Sequence, residues 1–531
     1  MCVIACEDGC SLHSDEVHEA IRLLRGRRPM QSPWASAGLV PGHSAWTLVP
    51  MVPPGAGGIS WPAASPAQEL VPVPVAQQMQ DSEILSIYVK FLSQFTASLD
   101  GHPDASNPYL KYYVPFCVNS QLLVHVAIYS AACFLTDTGH VERTVAMAHK
   151  GRVIKLLNEH IRSQLSASDE AIAGVVQLVV DEWLWGDAND LRAHLRGLQE
   201  MIRFRGGFRT LGLHGLISKL AMTSDVAIAL SFEVSPFLQG GSEFEFRDNV
   251  QIPLRLALNT PFISTLVAFS SCDDALRIHP AVASILDDMR FLLATVLALP
   301  ETPSAKELHK VHTTSAWIHE RISSLPEESP AARRPSAGSS TTPSRDSPVT
   351  DIREGQQQAG HGRPRGLTPQ QQSGWPPMPV PGQAGTDHLR EGSPNPGRQA
   401  SPNNNSQSPP PAAAEPPDHV YQAVRLAALL YSRAIMRRRP FSEVVLPGEF
   451  LRLWTTAWRV PLSTWRSLLG VLAWILLPIL PSGKAAQPHD RLVKAVMNIT
   501  LFQIGMDNWE IGSAVMAAAL SLQRWLAGGA R

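Results

Sequence analysis

The chain has 531 residues, room for two to four domains at the usual length of about 150 residues each. Its 45 Lys+Arg against 46 Asp+Glu leave a net charge of −1, which excludes a chain-wide field drawing it to nucleic acid or an anionic membrane. Six cysteines exclude a disulfide scaffold and fit a reducing compartment, while the 44 prolines stand above the average usage of about 5% and are unevenly spread.

Residues 1–80 carry no sustained period; from Arg28 to Met79, Pro, Ala, Gly, Ser and Val dominate with few charges, and a poorly ordered leader is expected. Met1 to Cys10 lacks the basic stretch and apolar core of a secretory signal, so a nuclear or cytosolic location is expected. From about residue 81 to 325 apolar residues recur at helical spacing and strand-like alternation is scarce. Asn119 is the expected N-cap of a helix carrying Leu122, Val126, Ile128, Ala132 and Cys133. Glu142 to Leu165 reads as a longer helix, with Ile154, Leu157, Ile161 and Leu165 on one stripe. Ser168 followed by Asp169 and Glu170 starts a third, a short polar cap ahead of acids at the positive end of the helix dipole, which buries Ile172, Val175, Val176, Val179 and Trp183. The next is the best defined. Asp187, Asn189 or Asp190 can cap it, Leu191, Leu195, Leu198 and Ile202 form its stripe, Arg192, Arg196 and Arg203 lie off that stripe, and Gly206-Gly207 ends it. A further helix carries Leu216, Leu220, Ala227 and Leu230. Helix follows helix across short loops, which specifies an all-α fold, a bundle or a stack of helical pairs.

Residues 326–417 interrupt this pattern. Pro, Ser, Gly, Gln and Arg dominate and Trp375 is the sole aromatic, too little apolar surface to offset ~1–2 kcal/mol per residue of backbone entropy, so a disordered linker is expected. Helical patterning returns over 418–531 in three segments, Val420 to Met436, the Trp-rich Leu451 to Trp474, and Arg491 to Trp525. These are expected to pack back on the first block, since each block has apolar faces left over. The most apolar run, Leu468 to Leu480, has 13 residues and contains Pro478. It falls short of the ~20 that a spanning helix needs and reads as a buried core helix.

Catalytic, cofactor and metal residues are not assigned. Cys2, Cys6, Cys10 and His13 tempt a metal reading, but zinc modules favour close cysteine pairs joined across a longer loop, whereas these three cysteines are evenly spaced without a second half. Cys117, Cys133 and Cys272 sit on apolar segments as ordinary buried thiols. Arg203-Phe204-Arg205-Gly206-Gly207-Phe208-Arg209 looks like an RNA-binding run, but it is one copy at a helix end. Arg437-Arg438-Arg439 is shorter than the usual import signal and reads as a charged helix end. Trp183, Trp185 and Asp187 could line a pocket, although aromatic residues at this spacing are usually core. No P-loop, Gly-x-Ser-x-Gly elbow or dinucleotide fingerprint occurs. Ser329, Thr342, Ser347, Thr368, Ser393, Ser401 and Ser408 each precede a proline, the pattern of proline-directed phosphorylation.

The run from Trp183-Leu184-Trp185-Gly186-Asp187 to Leu198, followed by Met201-Ile202-Arg203 and Arg205-Gly206-Gly207-Phe208, resembles the fungal-specific regulatory domain of zinc-cluster (Zn2Cys6) transcription factors. Asn107-Pro108-Tyr109 with Tyr113-Val114-Pro115-Phe116 resembles the opening of that domain, and Leu211-Gly212-Leu213 with the helix through Asp225 and Ala229 extends the likeness. It covers about 85–325 and, more loosely, 418–527. The resemblance implies an all-α regulatory domain acting in the nucleus through protein partners of transcriptional control, with a homodimer and a small-molecule effector both open. The family's DNA-binding module needs six cysteines in two Cys-x-x-Cys-led halves, and the three cysteines before residue 100 depart from that, so direct DNA binding is not expected. A helical interaction protein outside transcription, or an enzyme whose site is dispersed in sequence, are the alternatives.

Overall fold

The computed structural model describes residues 79–163, 167–248, 253–328, 418–482 and 489–529. Among these there are helices and turns and no strand, an all-α body. All but the last two residues of the expected leader at 1–80, the Cys2/Cys6/Cys10/His13 group, Leu165 of the expected stripe, the seven Ser/Thr-Pro pairs and all but the first three residues of the expected linker lie outside them. Pro326 and Glu327 are bonded to the helical body instead: the Pro326 carbonyl accepts a hydrogen bond from the Tyr421 hydroxyl at 2.8 Å, and Arg452 donates to the Glu327 carboxylate at 3.1 Å.

The first block opens with α1 (Asp81–Ile87), a π-helical turn and α2 (Ser93–Ala97). Asn107 then binds in two directions. Its Oδ1 accepts from Tyr109 N (2.9 Å) and its Nδ2 donates to Ala97 O (3.1 Å), fixing the turn that leads through Tyr109–Tyr113 into α3 (Val114–Asn119). α4 (Gln121–Asp137) follows at once. Its cap is Ser120, whose Oγ accepts from Leu123 N, and not Asn119, which ends α3. The expectation missed by one residue because Pro115, early in α3, allows a short helix of its own there.

α5 (Arg143–Arg162) buries Ala146, His149, Val153 and Leu157, while Ile161 is exposed. The stripe expected through Ile154 and Ile161 is therefore rotated, because a buried histidine occupies a position an apolar count passes over. α6 (Asp169–Trp185) starts at Ser168, whose Oγ accepts from Ala171 N (3.2 Å), and buries the five residues expected. α7 (Ala188–Arg205) starts at Asp187 and ends at Gly206, φ 99°, in the left-handed conformation. α8 (Leu216–Phe232) runs through the middle of the body against α6. With the turn before it, Leu213–Phe232 is long and apolar enough to cross a membrane, but most of it is buried within the protein.

α9 (Asp273–Leu276), α10 (Pro280–Leu297) and α11 (Ala305–Ser323) complete the block. α12 (His419–Arg437) lies along α11, joined to it where Ser315 Oγ donates to Ser432 O (2.8 Å) and Arg425 to Ser323 O (3.1 Å). The Trp-rich segment is not one helix. After α13 (Phe441–Val444) it forms α14 (Pro447–Trp458), α15 (Leu462–Arg466) and α16 (Leu469–Leu476), with Pro461 preceding α15. Every residue of α16 is buried, and Trp474 stacks on Tyr431 of α12 with ring centroids 4.9 Å apart. α16 comes so close to the chain at Leu258 and Asn259 that a Cβ on Gly470 would lie 2.6 and 2.5 Å from their carbonyl oxygens. The last segment also breaks in two, α17 (His489–Asp507) and α18 (Trp509–Ala527), because Asn508 caps the second by accepting from Ile511 N (3.0 Å). α17 packs on α8 and α2, where Gln503 accepts from Leu99 N (3.1 Å) and donates to Phe95 O (3.1 Å).

Candidate functional site

Three places bring polar groups or open space together. The first is the junction of α5, α6 and α7. Lys150 Nζ stands 2.6 Å from the fully buried Glu182 carboxylate and 3.1 Å from Asp190. Burial pulls the Lys150 ammonium down, but the two carboxylates outweigh it and hold it above the ordinary lysine range. Next to it Asp181, buried, accepts from Ser130 Oγ (2.7 Å) and Gln177 Nε2 (3.2 Å); burial pushes its carboxyl up to about 7. Lys150, Glu182 and Asp190 answer one another across three helices and act as a polar clamp, with Asp181 tying α6 to Ser130 of α4 beside it. The second is a crevice of about 40 Å³ between Asp104, Arg255, Arg466 and Asp507. It has room for little more than a water, and its charges are spent on each other, Arg255 on Asp507 at 2.8 Å and Arg466 on Asp100 at 3.3 Å.

The third is a half-open apolar groove of about 400 Å³ between the first turns of α7 and the last turns of α8. Leu191 and Leu195 line one wall, Ile228, Ala229 and Phe232 the other, and Val234 and Phe237 the lip. The groove exists because the chain after α8 is held to one side. Glu233 ends α8 in the left-handed conformation (φ 54°), and the chain then bends so that Phe237 N (3.0 Å) and Leu238 N (2.7 Å) both donate to the Asp225 carboxylate. Burial pushes that carboxyl up to about 6 against the pull of those two bonds. Gln199 of α7 donates to Phe237 O from the other side. The lip thus spans both walls. Its outer end reaches the C-terminal block, where the Glu233 carboxylate accepts from Phe441 N (2.8 Å) and from the Ser442 hydroxyl.

The residues singled out from sequence fall as follows. Trp183 is core, its Nε1 donating to Ser231 Oγ at 2.9 Å, and Asp187 is the cap of α7, its Oδ1 accepting from Asn189 N at 2.7 Å. Neither lines the groove. Arg203, Arg205 and Arg209 are paired with Glu243, Asp169 and Glu245 at the surface. Arg438 is the C-cap of α12 with its guanidinium over the Trp525 ring, and Arg439 pairs with Glu443. Cys117, Cys133 and Cys272 are buried free thiols. Among the described residues no three His, Cys, Asp or Glu side chains are grouped to hold a metal ion. The groove itself was not foreseen: Leu191 and Leu195 carry the same spacing whether they face a core or a cleft, and the lip that decides between the two is set by Asp225, 12 and 13 residues before the amides it accepts from.

Residues 83–237 match the family model of the fungal specific transcription factor domain. The match begins in α1 and ends in the lip, so both walls of the groove and the polar clamp lie inside it. Neither the curated proteins nor the solved structures gave a match to this chain. The domain is that of a regulatory family and not an enzyme family.

Proposed function

We propose that this chain, which carries a fungal specific transcription factor domain over residues 83–237, controls transcription from the nucleus through contacts of its helical body with other proteins. The observation that supports this reading most is the placement of the matched segment. It supplies the clamp, the apolar groove and a lip bonded to the C-terminal block, which is what a domain that senses at one face and answers at another requires. The two helical blocks act as one regulatory body, and the Ser-Pro and Thr-Pro pairs between residues 329 and 408 supply charge to tune it on phosphorylation. Catalysis has no part in the proposal. DNA is reached through a partner.

The test is to recruit the full chain to a reporter promoter through a foreign DNA-binding module, and to follow the untethered protein in its host by microscopy. Changed reporter output with nuclear localisation is expected. An inert chain that stays in the cytosol would instead place it among helical interaction proteins outside transcription.

A further inference from the structure

The α7–α8 groove has a chemistry of its own. Its walls and lip are Leu191, Leu195, Ile228, Phe232, Val234 and Phe237, and its volume of about 400 Å³ falls in the range of small-molecule sites. Phe232 and Val234 remain 38% and 52% exposed beside it. Two charged side chains border this space. Asp225 is spent, both carboxylate oxygens being occupied by the amides of Phe237 and Leu238. Arg192, one turn into α7 and exposed, has no hydrogen-bond or ion-pair partner among the described residues. An apolar cavity with one unspent guanidinium at its edge is complementary to a molecule with an apolar body and an anionic head.

We infer that this groove binds a small amphiphilic carboxylate, its hydrocarbon or aryl part between α7 and α8 and its carboxylate on Arg192. The lip gives occupancy a route outward. A ligand that presses on Val234 and Phe237 bears on the same turn whose Glu233 caps α13, so filling the groove and the seating of the C-terminal block are linked. The use of this link in regulation rests on the transcriptional reading. The binding does not, and it is measured on the purified chain.

The experiment uses decanoate and its uncharged analogue decanol, titrated into the full-length chain below micellar concentrations and followed by calorimetry and by the thermal unfolding midpoint. Decanoate is expected to bind and raise the midpoint, with decanol weaker by about fivefold, the worth of one partly exposed ion pair. Arg192→Gln is expected to bring decanoate down to the level of decanol and to leave decanol unchanged. Val234→Asp, at an exposed position where folding is not at stake, is expected to weaken decanoate more than decanol by setting a negative charge beside the head. Equal affinities for the two ligands in the wild type, or an Arg192→Gln variant that binds decanoate undiminished, would overturn the assignment of the head group. Absence of binding by either ligand would overturn the site. Self-association abolished by Val234→Asp, with no response to ligand, would assign the groove to a second copy of the chain and overturn it equally. If decanoate binds as expected while the reporter response to the recruited chain is unaffected by Arg192→Gln, the site stands and its link to regulation fails; if the recruited chain leaves the reporter unchanged altogether, the site stands and the transcriptional reading fails.

Discussion

Asp181 is a carboxylate placed where charge is unwelcome. It is buried between α4 and α6, its two donors, Ser130 and Gln177, are neutral, and burial lifts its carboxyl from 3.8 to about 7. The folded protein therefore holds a proton there at pH values where the unfolded chain has lost it. Stability from this group falls as pH rises from about 4 to about 7 and is fully lost above that. Asp181→Asn removes the slope. Urea unfolding at pH 5.5 and pH 8 should show the wild type losing about 2 kcal/mol more than the variant across that interval; parallel behaviour would mean the carboxyl is not buried as described. The two glycines after α7 differ in the same local way. Gly206 (φ 99°) needs only the left-handed conformation and has slack, since an added Cβ would meet the Thr210 methyl at 3.3 Å. Gly207 (φ 94°, ψ 177°) sits in a region essentially reserved for glycine, and its Cβ would fall 2.6 Å from the Glu243 carbonyl oxygen. Gly206→Ala should cost about 1 kcal/mol and Gly207→Ala about 3 kcal/mol in denaturant unfolding. Equal costs would contradict the close approach of the chain at Glu243.

At the level of helices, the junction of α5, α6 and α7 depends on one cation. Lys150 answers a Glu182 side chain that has no solvent exposure, so Lys150→Met leaves a buried charge unpaired and should destabilise by about 3 kcal/mol. The double variant Lys150→Met with Glu182→Gln should recover most of that loss, because the charge left stranded is removed with its partner. Additive costs in a double-mutant cycle would mean that the two residues do not interact. None of this clamp was readable from sequence, since Lys150 and Glu182 lie 32 positions apart on different helices and each looks like an ordinary surface charge. What was legible is what a helix settles within itself. Ser168 and Asp187 as caps, Gly206 as a stop and the stripe Leu191, Leu195, Leu198 and Ile202 all follow from hydrogen-bonding capacity and a 3.6-residue period. The errors came where a local signal was weak or of an unexpected kind. His149 took a core position on α5, Asn508 broke an apolar segment that looked continuous, and Pro115 gave α3 a start one turn before the expected cap. The groove was illegible for the reason the clamp was: both are made by contacts between segments whose own patterns are satisfied without them.

For the molecule as a whole, the question is what joins its two blocks. The first block is described as far as Glu328 and the second from Asp418, and the residues beside these two ends are bonded to each other. Tyr421 donates to Pro326 O at 2.8 Å, Arg425 donates to Ser323 O at 3.1 Å, and Arg452 reaches Glu327 at 3.1 Å. The 89 residues 329–417 therefore connect two points of the chain that are held close together, and α11 and α12 pair side by side. Closing a loop costs ~0.6 kcal/mol for each doubling of its length. Replacing 329–417 with about eleven Gly and Ser residues shortens it by roughly three doublings and should raise the stability of the body, by up to about 2 kcal/mol, if the removed residues contribute no packing. The increase should appear in the denaturant midpoint with little change in slope, because the surface exposed on unfolding the body stays the same. The opposite result has a definite meaning as well. A fall in stability with a lower slope would show that part of 329–417 buries surface against the helices, and the continuous chain would then have to be treated as a structural element and not as a tether.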